Sequence, residues 1–157
     1  MTEAARGAGL IRPASPGDCS ALSALRLRAK ASHGYGPREL AAFAPELAVT
    51  PQTLARGHNL VALAGRRPLG FAQIASEAGD VWLDALFVDP PAMGQGIGTA
   101  LFDRSTILAG QSGARQILIA SDPGAAGFYL ARGAVRCGEV ASHAIPGRML
   151  PRFVYTL

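Results

Sequence analysis

The sequence predicts an α+β fold, a mixed and mostly antiparallel sheet of about six to seven strands with helices on both faces. Three observations carry this. Apolar segments at Asn59 to Ala64, Leu69 to Ser76 and Val81 to Val88 follow one another across turn residues and read as antiparallel neighbours. A helix-length stretch after Gly98 separates the last of these from the apolar run Arg115 to Ala120, and a crossover of that length makes those two strands parallel. The 157 residues fit one domain, able to bury about two-thirds of its unfolded surface.

In chain order, residues 1–9 (MTEAARGAG) lack an apolar signal core and read as a flexible tail, with a single domain over 10–157. Leu10-Ile11-Arg12 is a first strand. Ser15 then serves as N-cap, with Pro16 at the first helical position and Asp18 near the positive end of the dipole. Leu22, Leu25 and Ala29 space the apolar face of that helix, leaving Arg26, Arg28 and Lys30 on a solvated face. Gly34 and Gly36-Pro37 end it. Further helices run from Arg38 to Leu47 and, started by Thr50-Pro51, to Arg56.

The hairpin turns at Gly65-Arg66-Arg67-Pro68, where the two arginines read as a solvated tip, and Ala78-Gly79-Asp80 leads into the next strand. The helix Gly98 to Ala109 turns Ala100, Leu101 and Leu108 inward. Asp122-Pro123 caps a helix carrying Tyr129. Val135 to Ala141 and Phe153 to Leu157 close the sheet as a late pair, joined by the Pro-rich loop 145–151.

Composition narrows the function classes. Hydrophobic residues make up 49% and charged residues 17%, with no apolar run of the roughly 18 residues a membrane span needs. A cytoplasmic protein is expected, with Cys19 and Cys137 as reduced, semi-buried thiols and no metal-ligand spacing. The net charge of +4 comes from 15 basic residues, all arginine but Lys30, against 11 acids. Such a balance attracts phosphate, but the arginines are scattered and no aromatic-flanked basic stripe favours nucleic acid.

The most informative segment is Leu83 to Leu101, LDALFVDPPAMGQGIGTAL. A buried strand breaks at Asp89-Pro90-Pro91, three alternate glycines follow (Gly94, Gly96, Gly98), and a helix begins. Strand, glycine loop, helix presents consecutive backbone N–H groups at a helix N-terminus, where the dipole also favours an anion. The implied ligand carries a diphosphate. No lysine follows as in a P-loop, and Thr99 and Leu101 stand where the dinucleotide fingerprint needs its third glycine.

Met93-Gly94-Gln95-Gly96-Ile97-Gly98 resembles the acyl-coenzyme A loop [Q/R]-x-x-G-x-[G/A] of the GNAT N-acetyltransferase superfamily, with Met93 in place of Gln or Arg. Asp122 to Ala134, DPGAAGFYLARGA, is similar to its later pattern N-x-x-A-x-x-x-Y-x-x-x-G-F. Ala125, Tyr129 and Gly133 are on pattern; Asp122 replaces Asn and Ala134 replaces Phe. The resemblance covers roughly residues 10–157.

It implies that the central parallel strands splay to admit the pantetheine arm of acetyl-CoA. The backbone of Phe87 and Val88 would hold that arm, and the N–H groups of Gly94 to Thr99 the pyrophosphate. Asp122 and Ala125 would complete the cofactor contacts, although a helix N-cap alone accounts for Asp122. Tyr129 matches the tyrosine that protonates the departing thiolate.

The general base is less legible. Asp84 is expected on the same face as Leu86, near the thioester, acting through water, with Trp82 at a nearby same-face position and Glu77 in a turn. His33, an imidazole, is another acceptor of the amine proton. His33 and Tyr35 lie in the loop that borders the acceptor pocket in this superfamily. Arg148, beside His143 in the late loop, suits a substrate carboxylate or phosphate.

The implied activity is N-acetylation of a primary amine, on a small molecule or a peptide, by direct transfer in a ternary complex without a metal, membrane or nucleic acid. A homodimer is compatible with the superfamily. The alternatives are a non-catalytic acyl-CoA-binding module of the same fold, against which retention of Tyr129 argues, and a nucleic-acid binder.

Overall fold

The computed structural model describes residues 9–157. Seven strands form one sheet in the order β1-β2-β3-β4-β5-β7-β6, where β1 is Leu10–Pro13, β2 His58–Ala64, β3 Arg67–Glu77, β4 Asp80–Val88, β5 Gln116–Ala120, β6 Val135–Ala141 and β7 Met149–Thr156. All neighbours are antiparallel except β4 and β5. Five helices flank it, α1 Cys19–Ala31, α2 Pro37–Leu47, α3 Pro51–Leu54, α4 Ile97–Gln111 and α5 Ala126–Ala131. Of the expected tail, residues 1–8 lie outside the described residues, and Gly9 already bridges to Leu63.

Each sheet face carries its own core. On one, α4 packs Ile97, Leu101 and Phe102 against Ala72, Ile74 and Leu83, and Tyr129 of α5 joins Phe102 and Phe153. On the other, Leu22 of α1 meets Val61, Phe71 and Ala85. Full burial of one such aliphatic or aromatic side chain stabilises by about 1.5–3 kcal/mol. Gly70 permits the close crossing of α4, because a Cβ there would stand 2.7 Å from Leu101 Cδ1 and 3.0 Å from the Phe87 carbonyl oxygen.

The expected start at Ser15-Pro16 is a 3-10 turn over Pro16–Asp18, which leads into α1 at Cys19. The Asp18 carboxylate accepts from the Ser15 N–H at 2.8 Å and pairs with Arg12, which holds it at a pKa of about 2. Its solvated face is a different matter. Arg26 is buried, Arg28 pairs with the buried Asp89, and Lys30 pairs with Asp122. Positions 22, 25, 26 and 29 share one helical stripe, so Arg26 lies on the apolar face itself.

Two other expectations change. Met149-Leu150-Pro151 is strand rather than loop, because β7 is drawn in between β5 and β6 and Ala141 pairs with Met149. Cys137 is exposed, on the sheet's edge strand.

The hairpin between β3 and β4 turns through Ala78 and Gly79, both with positive φ (51° and 85°). This backbone suits Asn-Gly, whereas an alanine there costs about 1–2 kcal/mol. Ala78→Asn is therefore expected to raise the thermal midpoint, by an amount equivalent to about 1 kcal/mol. A midpoint that stays put or falls would show that the turn stores no such strain.

Candidate active site

The sheet opens where β4 and β5 part. They are registered only at Trp82 and Leu118, and no β5 residue stands opposite Leu83 to Val88. The splayed pair is thus present, and the β5-facing backbone of Phe87 and Val88 is left without a strand partner. A cavity of about 1200 Å³ fills the gap. Its wall includes Phe87, Val88, Met93, Gly94, Gly96 to Thr99, Asp122, Ala125 and Tyr129.

The glycine loop is tied down at its start. Asp89, buried, donates its N–H to the Leu69 carbonyl oxygen at 2.8 Å and accepts from Arg28 Nε and Nη2 at 3.0 and 3.2 Å. Gly94 and Gly96 then take φ of 79° and 82°, a left-handed backbone open to glycine and strained for side chains. Gly96 is the N-cap of α4. From Gly94 to Thr99 no backbone N–H donates within the described residues, and Ala100 is the first, to the Gly96 carbonyl oxygen. A Cβ on Gly94 would meet nothing within 4 Å. Gln95 is exposed at the loop's tip.

A cation stands beside these amides. Arg132 Nη2 donates to Thr99 Oγ1 at 2.7 Å and its guanidinium lies 4.7 Å over the Phe128 ring, while Nε is sealed without a partner. No motif marks Arg132 in the sequence; the one signal for it is its place one turn after Phe128, at the end of the Tyr129 helix. Together the unpaired amides, the α4 dipole and Arg132 fit a diphosphate.

Tyr129 is buried, packed edge-on to Phe128, and lines the cavity. Burial pushes its phenol well above the usual value, and no neighbouring charge offsets this. The group stays protonated at any ordinary pH.

Asp84 does not share a face with Leu86. Gln73 pairs with Ala85 and Ile74 with Leu83, so Asp84 is the extra residue of a β-bulge. The bulge sends Leu86 into the α4 core and turns Asp84 toward Arg26 and Arg56 on the α1 side. Its carboxyl is open to the cavity yet enclosed by the walls, and that desolvation, with Glu77 nearby, raises its pKa. Glu77 and Trp82 line the same cavity.

Asp122 is more than a helix cap. Oδ1 accepts from the Gly124 N–H at 2.9 Å, while Oδ2 accepts from Lys30 Nζ at 2.7 Å and Tyr35 OH at 2.7 Å, with Arg148 Nη2 at 3.6 Å. Burial opposes ionisation, yet these partners bring its pKa down to about 2. Both oxygens are engaged within the chain, so Asp122 is the hub of a cluster on the cavity wall.

The cluster gathers the three residues read as substrate contacts. Arg148 Nη2 donates to Tyr35 OH, and His33 Nδ1 lies over Gly124. His33, His143 and Arg148 reach the cavity wall, whereas Tyr35 sits behind it, holding Asp122 and Arg148 in place. Lys30, over the Phe43 ring at 4.4 Å, completes the group. Its ion pair spans 92 positions of sequence, which no local pattern could have shown.

Residues 55–133 match the model of the acetyltransferase (GNAT) domain. No curated protein matches the sequence. Among solved structures, a GCN5-related N-acetyltransferase from Rhodopseudomonas palustris is similar at 26% identity and a TM-score of 0.81, covering 94% of this chain and 95% of that one. The PaiA N-acetyltransferase of Thermoplasma acidophilum, solved with coenzyme A, shares the fold at 15% identity and a TM-score of 0.79, over 94% and 98% of the two chains. An aminoglycoside 6′-N-acetyltransferase, also with coenzyme A, does so at 17% and 0.72, over 94% and 96%. With its splayed parallel pair, open amide loop and matched central segment, the chain belongs to the GNAT acetyltransferase family.

Proposed function

We propose that this protein is an N-acetyltransferase that takes its acetyl group from acetyl-CoA and passes it directly to a primary amine. The observation that carries the reading is the run of unpaired amides from Gly94 to Thr99, opening at the head of α4 into the gap between β4 and β5. These amides, with Arg132, would hold the pyrophosphate. The unpaired β4 edge at Phe87 and Val88 would hold the pantetheine arm and direct an N–H at the acyl oxygen. A preorganised donor of that kind contributes on the order of 3 kcal/mol to the barrier.

Acetyl-CoA, when bound, supplies an activated acyl carbon and a thiolate leaving group. Tyr129, held neutral by its burial, would donate a proton to the sulfur as its charge develops. On the acceptor side an ammonium must lose a proton before its nitrogen can attack. Asp84 would take it, directly or through water, its raised pKa making it a better base than an ordinary carboxylate.

Calorimetric titration with acetyl-CoA, against ATP and NAD as controls, tests the first half. Saturable binding of acetyl-CoA alone is expected, and no binding would overturn the enzyme reading. For the second half, a base must be ionised, so kcat/KM should fall as pH drops through the raised Asp84 pKa. Asp84→Asn is expected to remove that acid limb and lower kcat/KM by about 10²-fold. An untouched profile would assign the base elsewhere or to solvent.

A further inference from the structure

Arg26 has no role in the chemistry above, and its environment is unusual for an arginine. Only 8% of it is exposed. Its guanidinium lies between two rings, 5.6 Å from the centre of Phe71 and 4.9 Å from that of Phe87. Nε is sealed off without a hydrogen-bond partner, and the side chain forms no ion pair among the described residues. A buried cation without a partner costs several kcal/mol, which the faces of two rings offset only in part. Burial lowers its pKa to about 10, so it remains charged at neutral pH.

The guanidinium borders the cavity beside Phe87, where the thioester is proposed to lie. The facing groups are Asp84 and Glu46, which feel its charge without pairing with it, and Arg56, which opposes it. Glu77 stands behind Asp84 on the same wall. This end of the cavity therefore holds two guanidinium groups without an ion pair among the described residues, Arg26 and Arg56, of which Arg26 is the buried one beside Phe87, set among carboxylates. An ammonium fits the carboxylates, and a single carboxylate fits the guanidinium fork.

On the proposed function above, we infer that the acceptor is an amino-carboxylate of amino-acid size, whose carboxylate is bound by Arg26 while its amine faces Asp84. A phosphate dianion, with twice the charge of a carboxylate, would meet the stronger repulsion from Asp84, Glu46 and Glu77. A polycationic amine would leave Arg26 unpaired and add like charge to it.

The test uses acceptors that differ only at the carboxylate, an amino acid against its amide and β-alanine against its amide. O-phosphoethanolamine and an aminoglycoside serve as the other classes. The wild-type protein is expected to prefer the carboxylates in kcat/KM by at least about tenfold, the worth of one charged hydrogen-bonded pair. Arg26→Met should erase that preference, and Arg26→Lys should keep part of it. Independently of turnover, calorimetry should show an N-acetyl amino acid binding wild type and losing about tenfold or more in Arg26→Met.

Arg26→Met should also melt at or above the wild-type temperature, because replacing an unpaired buried charge with an apolar side chain is neutral or stabilising. If it fails to fold, Arg26 is a structural residue and the inference falls. Equal use of the amides, preference for the phosphorylated or polycationic amine, or an undiminished carboxylate preference in Arg26→Met would each overturn it. Acetyl-CoA binding, measured first in the same calorimeter, separates the two readings. Its absence sinks the transferase and leaves the N-acetyl amino acid titration to judge Arg26. Its presence without carboxylate discrimination sinks only the acceptor class.

Discussion

Gly96→Val is expected to cut acetyl-CoA affinity by at least about 10²-fold, the largest effect of any single change in the loop. The cause is backbone rather than contact. Gly96 caps α4 at φ 82°, ψ 8°, where an L residue costs about 1–2 kcal/mol and a β-branched one more. The chain would escape by rotating the loop, and the amides of Ile97 to Thr99 would no longer converge on one anion. Because residues 94–96 are largely exposed, the core under α4 should survive. Circular dichroism should therefore stay near native while the calorimetric signal disappears. An unchanged affinity would remove the glycine loop from the site. Loss of the fold would make Gly96 a folding residue instead.

Tyr129→Phe is expected to lower kcat by about 10² to 10⁴, the usual range for loss of a general acid, with acetyl-CoA affinity unchanged. The ring's packing against Phe128, Phe102 and Phe153 is retained by phenylalanine. The phenol's pKa is raised by burial alone, with no hydrogen-bonded partner contributing, so its removal strands no buried group. Stability should hold or rise slightly. Stopped-assay kinetics and calorimetry on the same preparation divide the outcomes. A large fall in affinity would make Tyr129 a binding residue, and an unaltered kcat would return the proton donor's role to water.

The local parts of this fold were legible for local reasons. The Ser15–Asp18 capping turn that leads into α1, the turn at Ala78-Gly79 and the glycine loop are each set within a few residues. The candidate cofactor site was legible for the same reason, since the groups it offers are backbone amides whose positions follow from glycine spacing and a helix start. The acceptor side was not. Its groups come from α1, the loop after it, β4, the Asp122 turn and the loop before β7, and each taken alone is an ordinary polar residue.

Arg26 illustrates the difference. Its place at the 22, 25, 26, 29 spacing was visible, but a charged residue on an apolar stripe reads as an edge of the wet face until Phe71 and Phe87 are seen around it. Asp84 illustrates it again. Strict alternation put it with Leu86, and a one-residue bulge, invisible in the period of the sequence, turned it to the opposite side.

Element order, the parallel crossover and the phosphate-type loop can be read along the chain, because hydrophobic period, capping and glycine act over short spans. Which charges are paired emerges only once the elements are assembled. Lys30 found Asp122, Arg28 found Asp89 and Arg26 found none, because an ion pair depends on which helices and loops the sheet brings together and on how much water they exclude.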